Sequence, residues 1–154
     1  RLRLSQSRIP LAVDALERAF KAYRTDPWPG QAIMERALEL ALAAAERDRS
    51  GMAADRLFSV FEHDFSTALY RQKRLLARYR LSMIFDADCS QPRSLGAVRT
   101  FEPHVYWQRE FLERRLACNF KSGDAKKTRR ARADLAAYES VRVSTLAELT
   151  KDAR

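Results

Sequence analysis

Residues 31–49 read QAIMERALELALAAAERDR, and this stretch decides the fold. Ala, Leu, Glu, Met, Gln and Arg dominate it, the residues that lose least on entering a helix. Ile33, Ala37, Leu40 and Ala44 recur at three and four residues, so they are expected to share one inward face. Thr25-Asp26-Pro27-Trp28-Pro29-Gly30 precedes the stretch and Ser50-Gly51 follows it. Both flanks are helix stops, because Pro cannot continue a helix interior and Gly ends one cheaply.

The same grammar repeats outward in both directions. Ile9 to Arg24 opens on Pro10, suited to a first helical turn, and places Val13, Leu16, Phe20 and Tyr23 on one stripe. Met52 to His63 carries Met52, Leu57, Val60 and Phe61, and Thr67 to Phe85 carries Leu69, Leu76, Tyr79 and Met83. Asp86 to Pro92 is the clearest loop. A short helix follows from Pro92 or Arg93 to about Glu102, closed by Pro103. Val105 to Lys121 is predicted to turn Trp107, Phe111, Leu112 and Cys118 inward. Gly123 suits a left-handed helix end and Asp124 the next N-cap. Ala125 to Tyr138 then packs Ala131, Leu135 and Tyr138, and a separate short helix is expected over Ser144 to Asp152.

No stretch alternates with the period of a strand. With 4 Gly and 5 Pro in 154 residues, a sandwich, a barrel or a Gly-rich nucleotide-binding fold is excluded as an expectation. The prediction is all-α, six to eight helices as antiparallel hairpins, forming a stacked helical repeat or a closed bundle. A basic tail over 1–8 would precede a single helical domain over 9–154.

Ala15, Ala22 and Pro27 follow the small–small–proline spacing that closes a helical hairpin. This spacing resembles the second helix of a tetratricopeptide repeat. The resemblance implies a scaffold that binds peptide segments in a concave groove. A second resemblance rests on Arg56 with His63 and on Arg99 with His104. Both pairs are similar to the Arg-then-His motif of HEPN ribonucleases, which implies a His acting on a 2′-hydroxyl proton while Arg holds the phosphate.

Charge is unevenly spread. The sequence holds 29 basic and 20 acidic side chains, for a net charge of +9. Residues 9–70 have seven basic and ten acidic side chains, whereas 71–80 have five cations and no acid. Residues 109–132 have nine cations against three acids. Two patches stand out as candidate anion or nucleic-acid contacts: Arg71, Lys73, Arg74, Arg78 and Arg80, and then Lys126, Lys127, Arg129, Arg130 and Arg132. The second sits at a predicted helix start, where the partial positive charge of the helix makes cations unfavourable unless an anion offsets them.

Catalytic signatures are absent: no phosphate-cradling glycine loop, no Gly-x-Ser-x-Gly elbow, no His-Glu-x-x-His and no Cys-x-x-Cys. Cys89, Cys118, His63 and His104 do not stand at metal-ligand spacing. No catalytic residue, metal or cofactor is therefore expected, and a small-molecule substrate is not. Trp28, Tyr106 and Trp107 are the candidate anchors for a protein partner. The expectation is a non-enzymatic helical adaptor that binds another protein, with nucleic-acid binding as the alternative and a ribonuclease as a remote one.

No run of apolar residues is long enough to span a bilayer. The chain begins at Arg1, as a processed product or an excised domain would. Cys89 and Cys118 suit either one disulfide in an oxidising compartment or two small buried hydrophobes in a reducing one. The second is the default for an ordinary helical domain, and so is a cytoplasmic location, with a processed exported domain as the alternative.

Overall fold

The computed structural model describes residues 8–26, 30–66 and 70–151, with backbone alone over 142–151. Among them are seven helices and no strand. These are α1 (Ile9–Tyr23), α2 (Gln31–Arg47), α3 (Met52–Val60), α4 (Arg71–Phe85), α5 (Pro92–Arg99), α6 (Arg109–Lys121) and α7 (Ala125–Lys151). The all-α expectation holds. No helix among the described residues is long and apolar enough to cross a membrane.

The helices gather into two compact units, residues 1–87 and 88–154. The boundary falls in the Asp86–Pro92 loop. Each unit has its own apolar centre. In the first, α1 to α4 bury Val13, Phe20, Met34, Leu57, Phe58, Phe61 and Leu81. Phe20 meets Phe61 edge-on at 4.8 Å and stacks on Phe65 at 5.7 Å. Arg56 ties α3 to α1 through Asp14 at 2.8 Å and Glu17 at 2.7 Å.

Short polar devices set the turns. Gly51 adopts φ +75°, open to glycine at little cost, and starts α3. Asp48 accepts the Ala53 N–H at 2.7 Å and the Ser50 hydroxyl at 2.7 Å. These bonds satisfy a free donor of α3 and hold the Asp48 carboxyl below its ordinary value, the Ala53 contact contributing most.

Three predicted faces are rotated. Ile33 and Met52 are exposed, and the buried faces run through Met34, Ala37, Leu38, Ala41, Ala44 and Ala45 in α2 and Ala53, Ala54, Leu57 and Phe58 in α3. Met83 is also exposed. Trp107, expected inward, is 48% exposed. One predicted boundary disappears: α7 is a single helix of 27 residues through Lys151, where two helices were expected. No Gly or Pro occurs between Tyr138 and Ser144, so nothing ends the first. Of the predicted Thr67–Phe85 helix, residues 67–69 lie outside the described residues, and α4 begins at Arg71.

In the second unit the cysteines are bonded. Cys89 and Cys118 form a disulfide with Cα atoms 5.3 Å apart, which corrects the default of two free thiols. The bond fastens the segment before α5 to the last turn of α6. Cys89 sits at φ +54°, a left-handed conformation costly for a residue with a Cβ.

Candidate functional site

Most of the first basic patch is used inside its own unit. Arg74 is buried; its guanidinium donates to the Phe61 carbonyl and to the Asp64 carboxylate. Arg78 pairs with Glu62 at 3.0 Å and lies 4.5 Å over the Phe58 ring. Lys73 pairs with Glu35, and Arg24 donates to the Val60 carbonyl at 2.6 Å. Arg24 and Arg74 thus satisfy the last carbonyls at the end of α3, where the helix carries partial negative charge. Burial depresses the Arg74 guanidinium's pKa, with Asp64 opposing. Arg71 and Arg80 are exposed. As a surface for anions, the patch shrinks to these two, because Arg74 and Arg78 are drawn into the protein and Lys73 is held by Glu35.

The second patch is different, and its setting explains why. Helix α6 ends at Ser122, and Gly123 at φ +73° reverses the chain. Asp124 then caps α7, accepting the Lys127 N–H at 3.0 Å. That bond, with the charges of Lys127 and Arg99, holds the Asp124 carboxyl below its ordinary value against the pull of burial. Lys127 lies 3.8 Å from the same carboxylate. Among the described residues, the side chains of Lys126, Arg129, Arg130 and Arg132 make neither a hydrogen bond nor an ion pair, although the Lys126 backbone N–H bonds the Asp124 carboxylate.

Arg115 fixes α7 against α6. It is 1% exposed and bonds Glu102 at 2.7 Å and Asp134 at 2.6 Å. Phe111 supports it on one side, packed edge-on against Phe101 at 4.9 Å and Tyr106 at 5.9 Å. The inward stripe of α6 is therefore Phe111, Leu112, Arg115, Cys118 and Asn119. Beside it runs a second stripe, Glu113, Leu116, Ala117 and Phe120, at helical spacing.

That second stripe lines an open groove between α6 and α7. Leu116, Ala117, Phe120 and Leu135 form its floor, with Glu113 and Arg132 at the rim, enclosing about 340 Å³. An adjoining hollow of about 370 Å³ continues past Phe120 to Gly123, Thr128 and Arg129. Phe120 is 70% exposed, the most exposed of the large apolar side chains described. Tyr138 lies one turn beyond Leu135 on α7, and Trp107 packs edge-on against it at 6.1 Å.

The candidate anchors fare differently. Trp107 offers surface. Tyr106 is half-buried between Phe101 and Phe111, as a packing residue. Trp28 lies outside the described residues. Sequence reasoning missed Phe120: an aromatic at a helical interval from Leu116 looks like core, and nothing in the sequence says that α7 leaves it uncovered.

The residues behind the two resemblances are placed as follows. Ala15 is half-buried and Ala22 exposed, while Pro27 lies outside the described residues. Arg56 is held by Glu17 and Asp14, which raise its already high pKa, and His63 is exposed beyond the end of α3. Arg99 is bonded to Asn119, Ser122 and Asp124, and His104 is exposed. Among the described residues no cluster of His, Cys, Asp and Glu is arranged to hold a metal ion. No family model, curated protein or solved structure matches this chain.

Proposed function

We propose that the chain is a non-enzymatic helical adaptor whose α6–α7 face binds a segment of another protein. The observation that carries this reading is Phe120, 70% exposed in an apolar groove between two helices that Arg115 ties together through Asp134. A large aromatic in a concave apolar site is the usual anchor of a protein interface. Trp107 extends the same side of α7 as a second contact. Nucleic-acid binding draws support from the unpaired cations of α7. It loses the support of Arg74 and Arg78, which are committed internally, and among the described residues no second aromatic ring packs against Phe120 to stack successive bases.

The Cys89–Cys118 bond supports residence in an oxidising compartment rather than the cytoplasm. Alkylation of the protein as isolated from its own cells tests this: no thiol should react before reduction.

Panning a library of random displayed peptides against the protein tests the adaptor reading. The expected result is a set of enriched peptides that Phe120→Ala no longer binds, with thermal melting unchanged. Enriched peptides that bind Phe120→Ala equally well, or no enrichment, would overturn it.

A further inference from the structure

We infer that the occupant of the α6–α7 groove is an acidic segment, one that places carboxylates against α7 and an apolar side chain against Phe120; this rests on the adaptor reading above. The argument is charge complementarity at a built apolar site. Arg56, Arg74, Arg78, Arg99, Arg109 and Arg115 each have carboxylate partners within the chain. Around the groove the pattern reverses. Arg132 lines the groove and Arg129 the hollow that adjoins it, Lys126 and Arg130 flank them, and none of the four side chains has a partner among the described residues. Asp134, four residues after Arg130 and at the spacing of a helical ion pair, is bonded to Arg115 instead.

The placement of these cations sharpens the point. Lys126 stands in the first turn of α7, where the helix itself contributes partial positive charge, Arg129, Arg130 and Arg132 crowd the turns after it, and Asp124 is the only acid in residues 121–133. The unliganded surface thus carries repulsion that an anionic partner would relieve. Guanidinium groups grip a carboxylate, as they grip a phosphate, with two parallel hydrogen bonds.

Phosphate chemistry fits less well. A lipid surface presents a plane of headgroups, whereas Leu116, Phe120 and Leu135 line a groove of about 340 Å³ between two helices. A phosphate strand would meet the cations and leave the apolar surface of Leu116, Phe120 and Leu135 without a partner. A carboxylate-bearing segment with a Leu or Phe at its centre meets both, the apolar side chain against Phe120 and the carboxylates against Arg129 and Arg132.

The test separates this inference from the reading it rests on. Peptides enriched from the random library are sequenced, and the strongest is synthesised with a fluorescent label beside a version carrying Gln and Asn in place of Glu and Asp. Anisotropy is measured on wild type, Phe120→Ala and the double variant Arg129→Gln/Arg132→Gln, from low to high salt. We expect enrichment in Asp and Glu around an aromatic or Leu. The acidic peptide should bind about tenfold more weakly to the double variant and about tenfold more weakly at high salt. The amide version should bind wild type and the double variant alike.

Enriched peptides without acidic bias that still need Phe120 would overturn the inference and leave the adaptor reading standing. Peptides indifferent to Phe120 would overturn both. A labelled single-stranded RNA, a DNA duplex, or phosphatidylglycerol vesicles binding more tightly than every selected peptide would also overturn it. So would self-association abolished by Phe120→Ala, which would make a second copy the occupant.

Discussion

Removing the disulfide should cost the second unit a large share of its stability. Cys89 and Cys118 are 29 residues apart in sequence. Closing a loop of that length lowers the entropy of the unfolded chain by about 12 cal/mol/K, or about 3.6 kcal/mol at 25 °C on the chain-entropy account. A unit spanning 88–154 is expected to have a total stability of roughly 3–10 kcal/mol. Cys89→Ala/Cys118→Ala should therefore bring it close to half-unfolded or shift its urea midpoint by molar amounts. The assay is urea unfolding followed by tryptophan fluorescence in a Trp28→Phe background, so that Trp107, packed on Tyr138, is the sole reporter. A second comparison isolates the backbone. Cys89→Gly/Cys118→Ala should recover about 1 kcal/mol relative to the double alanine variant, because glycine occupies φ +54° without penalty. An unfolding free energy of the double alanine variant within about 0.5 kcal/mol of wild type, with the wild type shown to be oxidised, would refute the cross-link as a stabilising element.

Arg115→Ala should destabilise the second unit by about 3 kcal/mol, since it strands Glu102 and Asp134 around a buried gap; chemical denaturation checks it, and Arg129→Ala should stay within about 0.5 kcal/mol. Arg74→Ala should cost about 2 kcal/mol by orphaning the Phe61 carbonyl, whereas Arg71→Ala should be neutral; equal effects would return the first patch to the surface. Asp48 has a folded pKa below its unfolded value, so its contribution is complete above about pH 4 and is lost as pH falls through the folded pKa. Asp48→Ala should cost about 1 kcal/mol at pH 7 and less at pH 2, read from melts across pH.

The helices were legible because their stops are local chemistry. Pro10 opens α1, Gly51 and Gly123 take left-handed conformations, and Asp124 caps α7, each a property of one residue and its neighbours. The faces were less legible in Ala-rich helices: Ile33 and Met34 are adjacent and both apolar, and only the packing of α2 selects Met34. Arg74 misled for a related reason. An arginine at helical spacing from two others looks like a solvent stripe, and only the tertiary placement of α3's end brings the Phe61 carbonyl to it. The disulfide and the split into two units depend on residues distant in sequence, which spacing alone does not join. The basic patch of α7 was visible as charge, but its apolar half was not. Phe120 becomes a candidate anchor only once α7 is seen to leave it open.

The central claim is that the α6–α7 groove is a protein-binding site, and one comparison tests it most directly. Anisotropy of a labelled peptide selected on the wild-type chain is measured on Phe120→Ala and on Ile33→Ala, an equally exposed apolar residue in the other unit. Binding at least about tenfold weaker for Phe120→Ala, a loss of about 1.4 kcal/mol, with Ile33→Ala unchanged, is the predicted result. Equal affinity for all three proteins would contradict the claim.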